Sequence, residues 1–567
     1  MNFNKNLKTY QKYLSENQID FAIVFSNNEF LQECSALNQN ARYLLSGFTG
    51  TAGDMLITPN KAYLFVDGRY HIQVDEQTDP KFITPVKLKM GEKRNDKIFE
   101  IIKNSKIKIA KLLVPINKIS GKGFEDLSKK LKPLNTEIIN SENDIVCKLF
   151  ATEDKKKVYK VWNVGIKQVG KNTQDKLKGL KKYENDFLLV FSNDEICYLA
   201  NIRANQNPYS SSLNCFALIG ENVVRIFCDK KHIPNEVINS SENVIYNDFS
   251  EFDNIINNIN KTIYYEQNHT PYIYIYKLIE AKANLKKLAK SPIAKMKATK
   301  NKTELAYIKE CYRKSDIGIL NAIKFLNKKI ENKEKITAGD FLKKLIAFEK
   351  EQGVIDLSFN TILAINERSA IIHCTEFDEK QIIKEGDLIL LDFGVYFEGG
   401  YATDMTRTFA VGKKYKNELL KQVYTTVLKA FLNTLNYKIK PETMYFDLDK
   451  KARSIIKKAN FEGFNFNHGT GHGIGLNVHE MPPILSPSKF AKEKIKPNMV
   501  FSIEPGLYKE NIGGVRIENS VYTTKTKTGI KIESLTNLPF DEKLIIFDML
   551  NTKEQKWLND YQSKVLK

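Results

Sequence analysis

Histidine is rare in this chain, and three of its histidines stand close together. The segment at positions 468–480 reads HGTGHGIGLNVHE and holds His468, His472 and His479, whereas the whole chain has 7 His in 567 residues. His468 and His472 have a spacing that would suit one metal ion on a helix, but the glycines between them disfavour a helix. Glycine instead allows the backbone to approach a ligand closely. The segment therefore indicates a functional site.

Two aspartates lie on a pair of strongly apolar segments earlier in the chain. The stretch GDLILLDFGVYFEGGYATDMTRTFAVG reads as two β-strands joined by a three-residue turn at 398–400. In that register Asp404 lies opposite Gly394, and Asp392 is its diagonal neighbour on the same face. Gly394 would leave room between the two carboxylates. Buried carboxylates repel unless a cation neutralises them, so the pair indicates a divalent metal, and the alternative is a pair of solvated surface carboxylates.

Two glutamates and an arginine complete the candidate set. Glu504 ends a β-like run in SIEPG, and Glu518 follows Arg516 by two positions in RIEN. On a strand this spacing places Arg516 and Glu518 on one face, where the guanidinium would orient the carboxylate. Only 10 of the 87 basic residues are Arg and the rest are Lys, so Arg69, Arg407 and Arg516 are exceptions to the chain's preference for Lys. Lys does not replace a planar guanidinium where carboxylates must be held in a fixed geometry.

These side chains favour metal-dependent hydrolysis. Two Asp, two Glu and at least one His form an oxygen-rich, thiolate-free set, which suits Mn²⁺, with Co²⁺ and Zn²⁺ as alternatives. Four carboxylates that can bridge are enough for two metal ions about 3.5–4 Å apart, a pair that generates a bridging hydroxide and polarises a carbonyl. The remaining histidines would hydrogen-bond the substrate and the tetrahedral oxyanion. The sequence thus predicts hydrolysis, most plausibly of an amide.

The composition argues against several other classes of function. The net charge of +20 comes from a Lys excess spread along the chain without a dense basic stripe, so we expect no nucleic-acid partner. No apolar run approaches the roughly 18 residues of a transmembrane helix, and the N-terminus has no secretory signal, so we expect no membrane partner and a cytoplasmic location. The 7 cysteines, Cys34 among them, are dispersed without a CxxC, which indicates reduced thiols.

The first half of the chain contains an internal repeat. VFSNNE at 24–29 matches VFSNDE at 190–195, and the order helix, strand, loop, hairpin recurs with them. We therefore expect two duplicated α/β domains, at residues 1–160 and 161–291, with a boundary near the Lys-rich stretch 153–158.

The pattern changes in the second half of the chain. A long helix is predicted to begin with Thr303 near its cap, and several long β runs follow it. Helices and antiparallel strands together make residues 292–567 an α+β domain, which includes a C-terminal extension at about residues 525–567.

The motifs LLDFG, TDMTRT, HGTGHGIG, VHE, SIEPG and RIEN, in this order, resemble those of the pita-bread metallopeptidases. The resemblance implies five metal ligands, and each is of the right type here: Asp392, Asp404, His472, Glu504 and Glu518. It also implies substrate contacts or proton transfer for three histidines: His373, His468 and His479. Glu504 would relay a proton to the leaving nitrogen, and Arg516 and Thr406 would support the ligands from behind.

Segments outside these motifs narrow the resemblance. SGFTGTAG followed by FVDGRY, with the duplicated domains and the C-terminal extension, resembles the three-domain cytosolic type of aminopeptidase P over essentially the whole chain. That type implies two creatinase-like α/β domains before a pita-bread α+β domain, a homodimer, and removal of the N-terminal residue from peptides with proline at position 2. For Arg69 in DGRY two interpretations stand, a contact with substrate or a salt bridge in domain packing.

Three alternatives make different demands on the sequence. A prolidase, which cleaves only Xaa-Pro dipeptides, needs a cation for the substrate's C-terminal carboxylate. A non-catalytic pita-bread module that binds other molecules characteristically loses ligands, whereas this chain keeps all five. A thiol enzyme with Cys374 beside His373 lacks the surroundings that activate a thiolate. The spacing from Asp392 to Asp404 is one residue longer than is usual in the family, and Cys374 replaces a common Tyr, but neither departure removes a ligand.

Overall fold

We describe a computed structural model in which two compact units account for the chain. The described residues are 2–33, 35–152 and 159–565. Cys34 and the predicted boundary stretch 153–158 lie outside them. The first unit comprises Met1–Asn163 and Lys171–Ile293, and the second comprises Val164–Gly170 and Ala294–Lys567. Among the described residues, no helix combines the length and the apolar character that crossing a membrane requires.

The first half of the first unit is built on a six-stranded mixed sheet. Its strands, in order across the sheet, are Thr84–Lys87, Ala62–Val66, Asp54–Ile57, Phe21–Val24, Lys111–Pro115 and Glu137–Ser141. Asp54–Ile57 pairs antiparallel with both of its neighbours, Phe21–Val24 and Ala62–Val66. The other three pairs of neighbouring strands are parallel. Leu7, Tyr10 and Leu14 are buried on the helix Phe3–Glu16, as their spacing predicts.

The second half of this unit repeats the same topology. Its strands, in the equivalent order, are Val244–Asp248, Val223–Cys228, Phe216–Gly220, Phe187–Val190, Ile263–Glu266 and Leu285–Leu288. The strand directions match those of the first half. VFSNNE and VFSNDE begin at equivalent places, the last residues of Phe21–Val24 and Phe187–Val190. The predicted duplication is confirmed.

Helices and short elements complete the first unit. Its α-helices are Phe3–Glu16, Ala41–Ser46, His71–Gln77, Arg94–Asn104, Gly121–Leu131, Ile145–Phe150, Thr173–Leu177, Asn193–Ala200, Asn235–Ile238, Phe252–Ile256 and Tyr272–Glu280. A two-stranded ribbon joins Val161–Asn163 with Ile202–Ala204. The two repeats pack through equivalent helices, where the rings of Phe124 and Tyr272 stack with centroids 3.8 Å apart.

The second unit is built on an antiparallel sheet. The strands in order are Ile362–Ile365, Leu388–Phe393, Met405–Ala410, Glu518–Thr526 and Val500–Ile503, and Gly529–Ser534 also pairs with Glu518–Thr526. Three ribbons accompany it: Asp356–Leu357 with Val395–Tyr396, Gly471–His472 with Ile484–Leu485, and Gly506–Lys509 with Gly513–Arg516. The predicted α+β class is confirmed.

Two groups of helices cover the two faces of this sheet. The α-helices outside the first unit's set are Ile166–Val169, Pro292–Ala298, Lys302–Glu331, Ala338–Glu351, Glu418–Leu435, Tyr445–Ala459 and Thr552–Gln562. Ile389 and Leu391 pack in one core with residues of the helices Lys302–Glu331 and Ala338–Glu351. Leu388 and Ala410 pack in the other core, with the helices that follow. Alternation along the strand then turns the even-numbered Asp392 toward the second face.

The hairpin around 398–400 has the predicted register. Asp392 pairs with Thr406, and the bridge between Tyr396 and Ala402 extends the same register toward the turn. The predicted reason for Gly394 is wrong, however. A Cβ at that position would lie 2.2 Å from the carbonyl oxygen of Thr403, so glycine is required by the close approach of the neighbouring backbone.

The long helix has Thr303 near its cap, as predicted. It spans Lys302–Glu331, and Asn301 is its N-cap, because the Asn301 side chain accepts hydrogen bonds from the backbone N–H groups of Thr303 and Glu304 at 2.9 and 3.0 Å. Asn is a better N-cap than Thr, and Glu304 completes a capping box.

Candidate metal centre

A row of side chains crosses the sheet of the second unit. Asp392 pairs with Thr406, and Thr406 pairs with Glu518 on the next strand. The pairing of Val500–Ile503 with Glu518–Thr526 continues the row to Glu504, which directly follows Val500–Ile503. Residues in one such row point to the same face of a sheet. Three acidic residues and one threonine, each from a different strand, therefore gather on one side.

Asp404 and His472 join this row. One donor atom each from Asp404, His472 and Glu518 lies within 4.8 Å of the others. His472 Nε2 lies 3.5 Å from Asp404 Oδ2 and 3.3 Å from Glu504 Oε1. His472 Nδ1 lies 3.1 Å from the carbonyl oxygen of Gly473. Because a carbonyl only accepts, Nδ1 carries a proton, which leaves Nε2 as the ring nitrogen that would bind a metal ion.

Burial and mutual repulsion both act on these carboxylates. Asp404 and Glu518 are only 3% and 2% exposed. Burial raises the pKa of Asp404 well above its usual range, and Glu518, Asp392 and Glu504 raise it further. Burial also raises the pKa of Glu518, with added effects of Glu504 and Asp392. Burial raises the pKa of Glu504 to about 7, although Arg516 opposes this. Carboxylates so close together in a dry site cannot all be charged without a cation.

Arg516 holds Asp392 directly and Glu518 only indirectly. Its NH2 donates to Asp392 Oδ2 at 2.5 Å, and its Nε donates to Thr406 Oγ1 at 3.1 Å. Thr406 in turn donates to Glu518 Oε2 at 2.8 Å. Arg516 ends one strand and Glu518 begins the next, so the two residues do not share a strand. The predicted orientation of Glu518 by a direct contact is wrong, because the Thr406 hydroxyl stands between them.

A chain of hydrogen bonds links Arg516 with His468. Arg516 NH1 donates to the Tyr508 hydroxyl at 2.9 Å, and this hydroxyl lies 2.8 Å from His468 Nε2. His468 Nδ1 lies 2.7 Å from the carbonyl oxygen of Gly469 and 3.7 Å from Glu504 Oε2. Nδ1 therefore donates to the carbonyl oxygen, and the Tyr508 hydroxyl holds Nε2, so the ring is fixed in one orientation.

Two buried carboxylate oxygens are available for a ligand. Within the part of the chain that the structure describes, Asp392 Oδ1 and Glu518 Oε1 have no hydrogen-bond partner. Buried polar atoms of this kind are nearly always satisfied, so a group outside the polypeptide is expected there. Carboxylate oxygens with one imidazole suit hard divalent ions. The residues present thus fit the two metal ions that the sequence predicts.

The other two predicted histidines, His479 and His373, lie in segments that contact residues of the candidate metal centre. The ring of His479 packs edge-to-face on His472, with centroids 4.4 Å apart. His373 is partly buried in a turn, and the preceding carbonyl, of Ile372, accepts from Arg516 NH1 at 3.3 Å. The structure thus places His479 against a candidate ligand and ties the segment of His373 to the arginine.

Arg69 lies in the first unit and is held by its own turn. Its Nε and NH2 donate to the two carboxylate oxygens of Asp67 at 2.9 and 2.8 Å. The side chain remains 25% exposed. Its contact with substrate stays a prediction. Cys374 is buried, and its thiol lies 3.5 Å from the carbonyl oxygen of Glu376.

Sequence reasoning missed an arginine that holds the segment around His468, here called the histidine loop (residues 466–480). Arg453 NH1 donates to the carbonyl oxygen of Phe466 at 3.0 Å, and NH2 donates to that of His468. Its Nε bonds Asp449, which also accepts from the Thr470 hydroxyl at 2.7 Å. The scarcity of Arg in this chain was a signal that could have found it.

Sequence reasoning also missed a buried ion cluster beside His479. Glu480 lies 3.1 Å from Lys297 Nζ and 3.0 Å from Lys300 Nζ. Burial alone would raise the pKa of Glu480, but the two lysines lower it to about 2. Its position next to His479 in VHE was the available signal.

Two residues near Glu504 support the centre and were not predicted. The Ser502 hydroxyl accepts from the backbone N–H of His472 at 3.0 Å and donates to Glu504 Oε1 at 3.2 Å. The Tyr508 hydroxyl lies between Arg516 and His468. Both lie within a few residues of Glu504 in the run FSIEPGLY.

Comparison with known proteins agrees with this geometry. Residues 306–525 match the model of metallopeptidase family M24, and residues 529–567 match the C-terminal region of that peptidase. Two models of the creatinase/prolidase N-terminal domain match residues 7–146 and 153–304.

Similar proteins cover nearly the whole chain. A relative from Ajellomyces capsulatus named probable Xaa-Pro aminopeptidase P is 28% identical over 99% of this chain and 95% of its own. The crystal structure of X-prolyl aminopeptidase from Caenorhabditis elegans, described as a cytosolic enzyme with a di-nuclear active site, matches with a TM-score of 0.87. It is 22% identical over 96% of this chain and 91% of its own. The prolidase from Pyrococcus horikoshii matches with a TM-score of 0.53 and 27% identity over 65% of this chain and 99% of its own. Residues 306–525 thus match metallopeptidase family M24, behind two segments that match the creatinase/prolidase N-terminal domain.

Proposed function

We propose that this protein is a metal-dependent Xaa-Pro aminopeptidase, which removes the N-terminal residue from peptides whose second residue is proline. One observation carries the proposal: a buried row of Asp392, Thr406 and Glu518 meets Asp404 and His472. The match of residues 306–525 to metallopeptidase family M24 supports a metallopeptidase, and relatives named probable Xaa-Pro aminopeptidase P that span almost the whole chain support this specificity.

We assign five residues as the ligands of two divalent ions: Asp392, Asp404, His472, Glu504 and Glu518. Two oxygens without a hydrogen-bond partner among the described residues, Asp392 Oδ1 and Glu518 Oε1, support this assignment. His472 Nε2, which faces Asp404 and Glu504, supports it as well. When bound, two such ions supply Lewis acidity and a water that ionises near neutral pH, which is the chemistry that amide hydrolysis requires. We propose Mn²⁺ as the metal because the donors are mainly carboxylates, with Co²⁺ and Zn²⁺ as alternatives.

The protein's own side chains bind substrate and move protons. Glu504 would take the proton of the attacking water at a carboxylate oxygen and deliver it to the leaving prolyl nitrogen. His373 and His479 would donate hydrogen bonds to the substrate and to the oxyanion that forms on the scissile carbonyl. His468 is a third candidate for these roles, held in place by Tyr508.

Proline at position 2 explains the need for such a site. A prolyl bond is a tertiary amide without an N–H, and its ring fixes φ near about −65°. Peptidases that bind an extended backbone through that N–H therefore fail on it. A site that acts on the carbonyl and on the free amino terminus does not need this N–H.

A prolidase is the second candidate. The match to the prolidase from Pyrococcus horikoshii at 27% identity favours it, but that match covers only 65% of this chain. A prolidase cleaves the dipeptide, whereas an aminopeptidase of the proposed type cleaves longer peptides. A non-catalytic binding module is disfavoured because all five ligand positions hold metal-binding side chains.

Hydrolysis of Arg-Pro-Pro and Arg-Pro by the purified full-length protein tests the proposal. We expect free Arg from the tripeptide with Mn²⁺, loss of release with a chelator, and loss in Asp404→Asn. Cleavage of the dipeptide alone would move the assignment to prolidase. No cleavage of either peptide by protein that verifiably holds Mn²⁺ would refute a proline-specific peptidase.

Three further properties belong to the same proposal. The compartment would be the cytoplasm, which is consistent with the six free cysteines that the structure describes. The chain would form a homodimer, which sedimentation velocity of the full-length protein tests. The working domain limits are 1–160, 161–291 and 292–567, with the C-terminal extension from about 525, and limited proteolysis tests them.

A further inference from the structure

We propose that Tyr561, in the last helix of the chain, is a positioning residue for the metal centre. With Arg407 it links the strand Met405–Ala410, which follows Asp404, to the strand Glu518–Thr526, which begins at Glu518; these are the two ligand-bearing strands. This inference rests on the proposed function, because it concerns the same candidate ligands. It assigns the C-terminal extension a task in metal binding.

The two ligand-bearing strands have little backbone pairing of their own. Within the described residues, Met405–Ala410 and Glu518–Thr526 share two residue pairs, Met405 with Asn519 and Thr406 with Glu518. Both pairs adjoin a candidate ligand. A ladder this short leaves the relative position of the strands to side-chain contacts.

Arg407 makes the first of these contacts. Its NH1 donates to the carbonyl oxygens of Thr406 and Glu518 at 3.0 and 2.7 Å, so one nitrogen bridges the two strands. The side chain is 2% exposed. Alternation along the strand puts Arg407 on the face opposite Thr406, away from the carboxylate row.

The C-terminal extension supplies the other acceptors of this guanidinium. Nε donates to the carbonyl oxygen of Pro539 at 3.1 Å, and NH2 donates to that of Leu538 at 2.8 Å and to the Tyr561 hydroxyl at 3.0 Å. Every one of the five N–H groups of Arg407 thus has an acceptor. Four of the five acceptors are carbonyl oxygens and one is a phenol hydroxyl. These five hydrogen bonds, and not an ion pair with a carboxylate, therefore hold the Arg407 guanidinium in place.

The Tyr561 hydroxyl is the point where these contacts meet. It accepts from Arg407 NH2 and from Asn519 Nδ2, the latter at 2.9 Å. It lies 2.9 Å from the carbonyl oxygen of Leu538 and 3.1 Å from that of Thr536, one of which receives its proton. Asn519 follows Glu518 directly, so the hydroxyl touches both strands through their side chains.

Loss of this hydroxyl would therefore act on the ligands at a distance. The ring, stacked on Phe540 with centroids 4.6 Å apart, would remain in Tyr561→Phe. Buried donors on Arg407 and Asn519 would lose an acceptor, and such groups shift to regain one. Groups that orient metal ligands from behind typically change metal affinity by about 10- to 100-fold when they are altered.

The test compares Tyr561→Phe with Tyr424→Phe in the full-length protein. Tyr424 is 0% exposed against 8% for Tyr561, and its hydroxyl accepts from the backbone N–H of Asp541, also in the extension, at 3.1 Å. Among the described residues, no hydrogen bond joins this hydroxyl to Met405–Ala410 or Glu518–Thr526. Mn²⁺ affinity is measured by calorimetry on chelator-stripped protein. Hydrogen–deuterium exchange of peptides covering 400–410 and 516–526, and the melting temperature, are measured on the same metal-free samples.

We expect both variants to have a lower melting temperature than the wild type. Only Tyr561→Phe should bind Mn²⁺ about tenfold more weakly and show faster hydrogen–deuterium exchange in the two peptides. Arg407→Lys, which keeps the charge but not the fork, should behave like Tyr561→Phe. Wild-type Mn²⁺ affinity in Tyr561→Phe, or equal losses in the two Tyr→Phe variants, would overturn the inference alone. Wild-type protein that neither binds Mn²⁺ nor cleaves Arg-Pro-Pro would overturn the proposed function as well.

Discussion

Replacement of Thr406 by Val should weaken metal binding more than it weakens the fold. Thr406 is fully buried at the middle of the carboxylate row, between Asp392 and Glu518. Its hydroxyl accepts from Arg516 Nε at 3.1 Å and donates to Glu518 Oε2 at 2.8 Å. Valine has nearly the same shape, so the substitution removes these two hydrogen bonds and little else.

The expected size follows from the groups that lose a partner. A hydrogen bond to a charged group contributes roughly 1.5–3 kcal/mol, and both lost bonds involve one. If about 2 kcal/mol of the bond to Glu518 serves to hold that carboxylate in its ligating position, Mn²⁺ affinity falls by about 30-fold, since 1.4 kcal/mol is tenfold. Glu518 would keep its charge but would be free to rotate about its side-chain bonds.

Thr408 offers a matched control on the same strand. It is also buried, and its hydroxyl donates to the carbonyl oxygen of Arg516 at 2.9 Å and accepts from its N–H at 3.2 Å, with no carboxylate involved. Calorimetric Mn²⁺ titration and thermal unfolding of Thr406→Val and Thr408→Val separate the two effects. Equal Mn²⁺ affinity in Thr406→Val and wild type, with intact folding, would refute the role assigned to the Thr406 hydroxyl.

Three further substitutions test the packing that supports the site. Burial raises the pKa of Asp316 to about 7, so its proton binds the folded state more tightly than the unfolded one. This contribution to stability is present below about pH 4 and is lost as the pH rises to about 7. In Asp316→Asn, the fall in unfolding free energy over that range, measured by urea titration, should shrink by up to about 4 kcal/mol, and an unchanged profile would contradict the burial argument. Glu480→Gln should cost about 3–5 kcal/mol of stability because it removes the carboxylate that balances the buried Lys297 and Lys300, and calorimetric unfolding should show a lower midpoint. Gly394→Ala should abolish soluble expression or Mn²⁺ retention because its Cβ would overlap a backbone oxygen, and a wild-type metal content would show that the hairpin can yield.

The local part of the site could be predicted from the sequence. The hairpin bearing Asp392 and Asp404 has a short turn and two apolar runs, and turn length with alternation fixes its register. The structure has that register, including the bridge between Tyr396 and Ala402. The duplicated α/β domains were predictable for a similar reason, since the matching segments fall at the ends of equivalent strands.

The contact of Arg516 could not be predicted by the same means. Strand alternation assumes one continuous strand, but the chain changes partners between Arg516 and Glu518. Gly513–Arg516 pairs with Gly506–Lys509, whereas Glu518 pairs with Thr406. A break of this kind depends on pairing between segments far apart in the chain, which periodicity within one segment does not reveal. The guanidinium consequently reaches Asp392, more than a hundred residues earlier in the sequence.

The scarcity of arginine also helps to predict long-range contacts, when the number of groups that each guanidinium bonds is considered. Arg313 pairs with Glu310 on an exposed helix surface, where Lys would serve almost as well. Arg407, Arg453 and Arg516 each bond at least three separate groups, and these groups lie in at least two segments of the chain. A lysine carries its three donors on one nitrogen and cannot span such acceptors, whereas the planar fork of arginine can. In a Lys-rich chain, therefore, an arginine between β runs or beside a glycine-rich loop marks a place where several segments must be held in one fixed arrangement, and here that arrangement surrounds the candidate metal ligands.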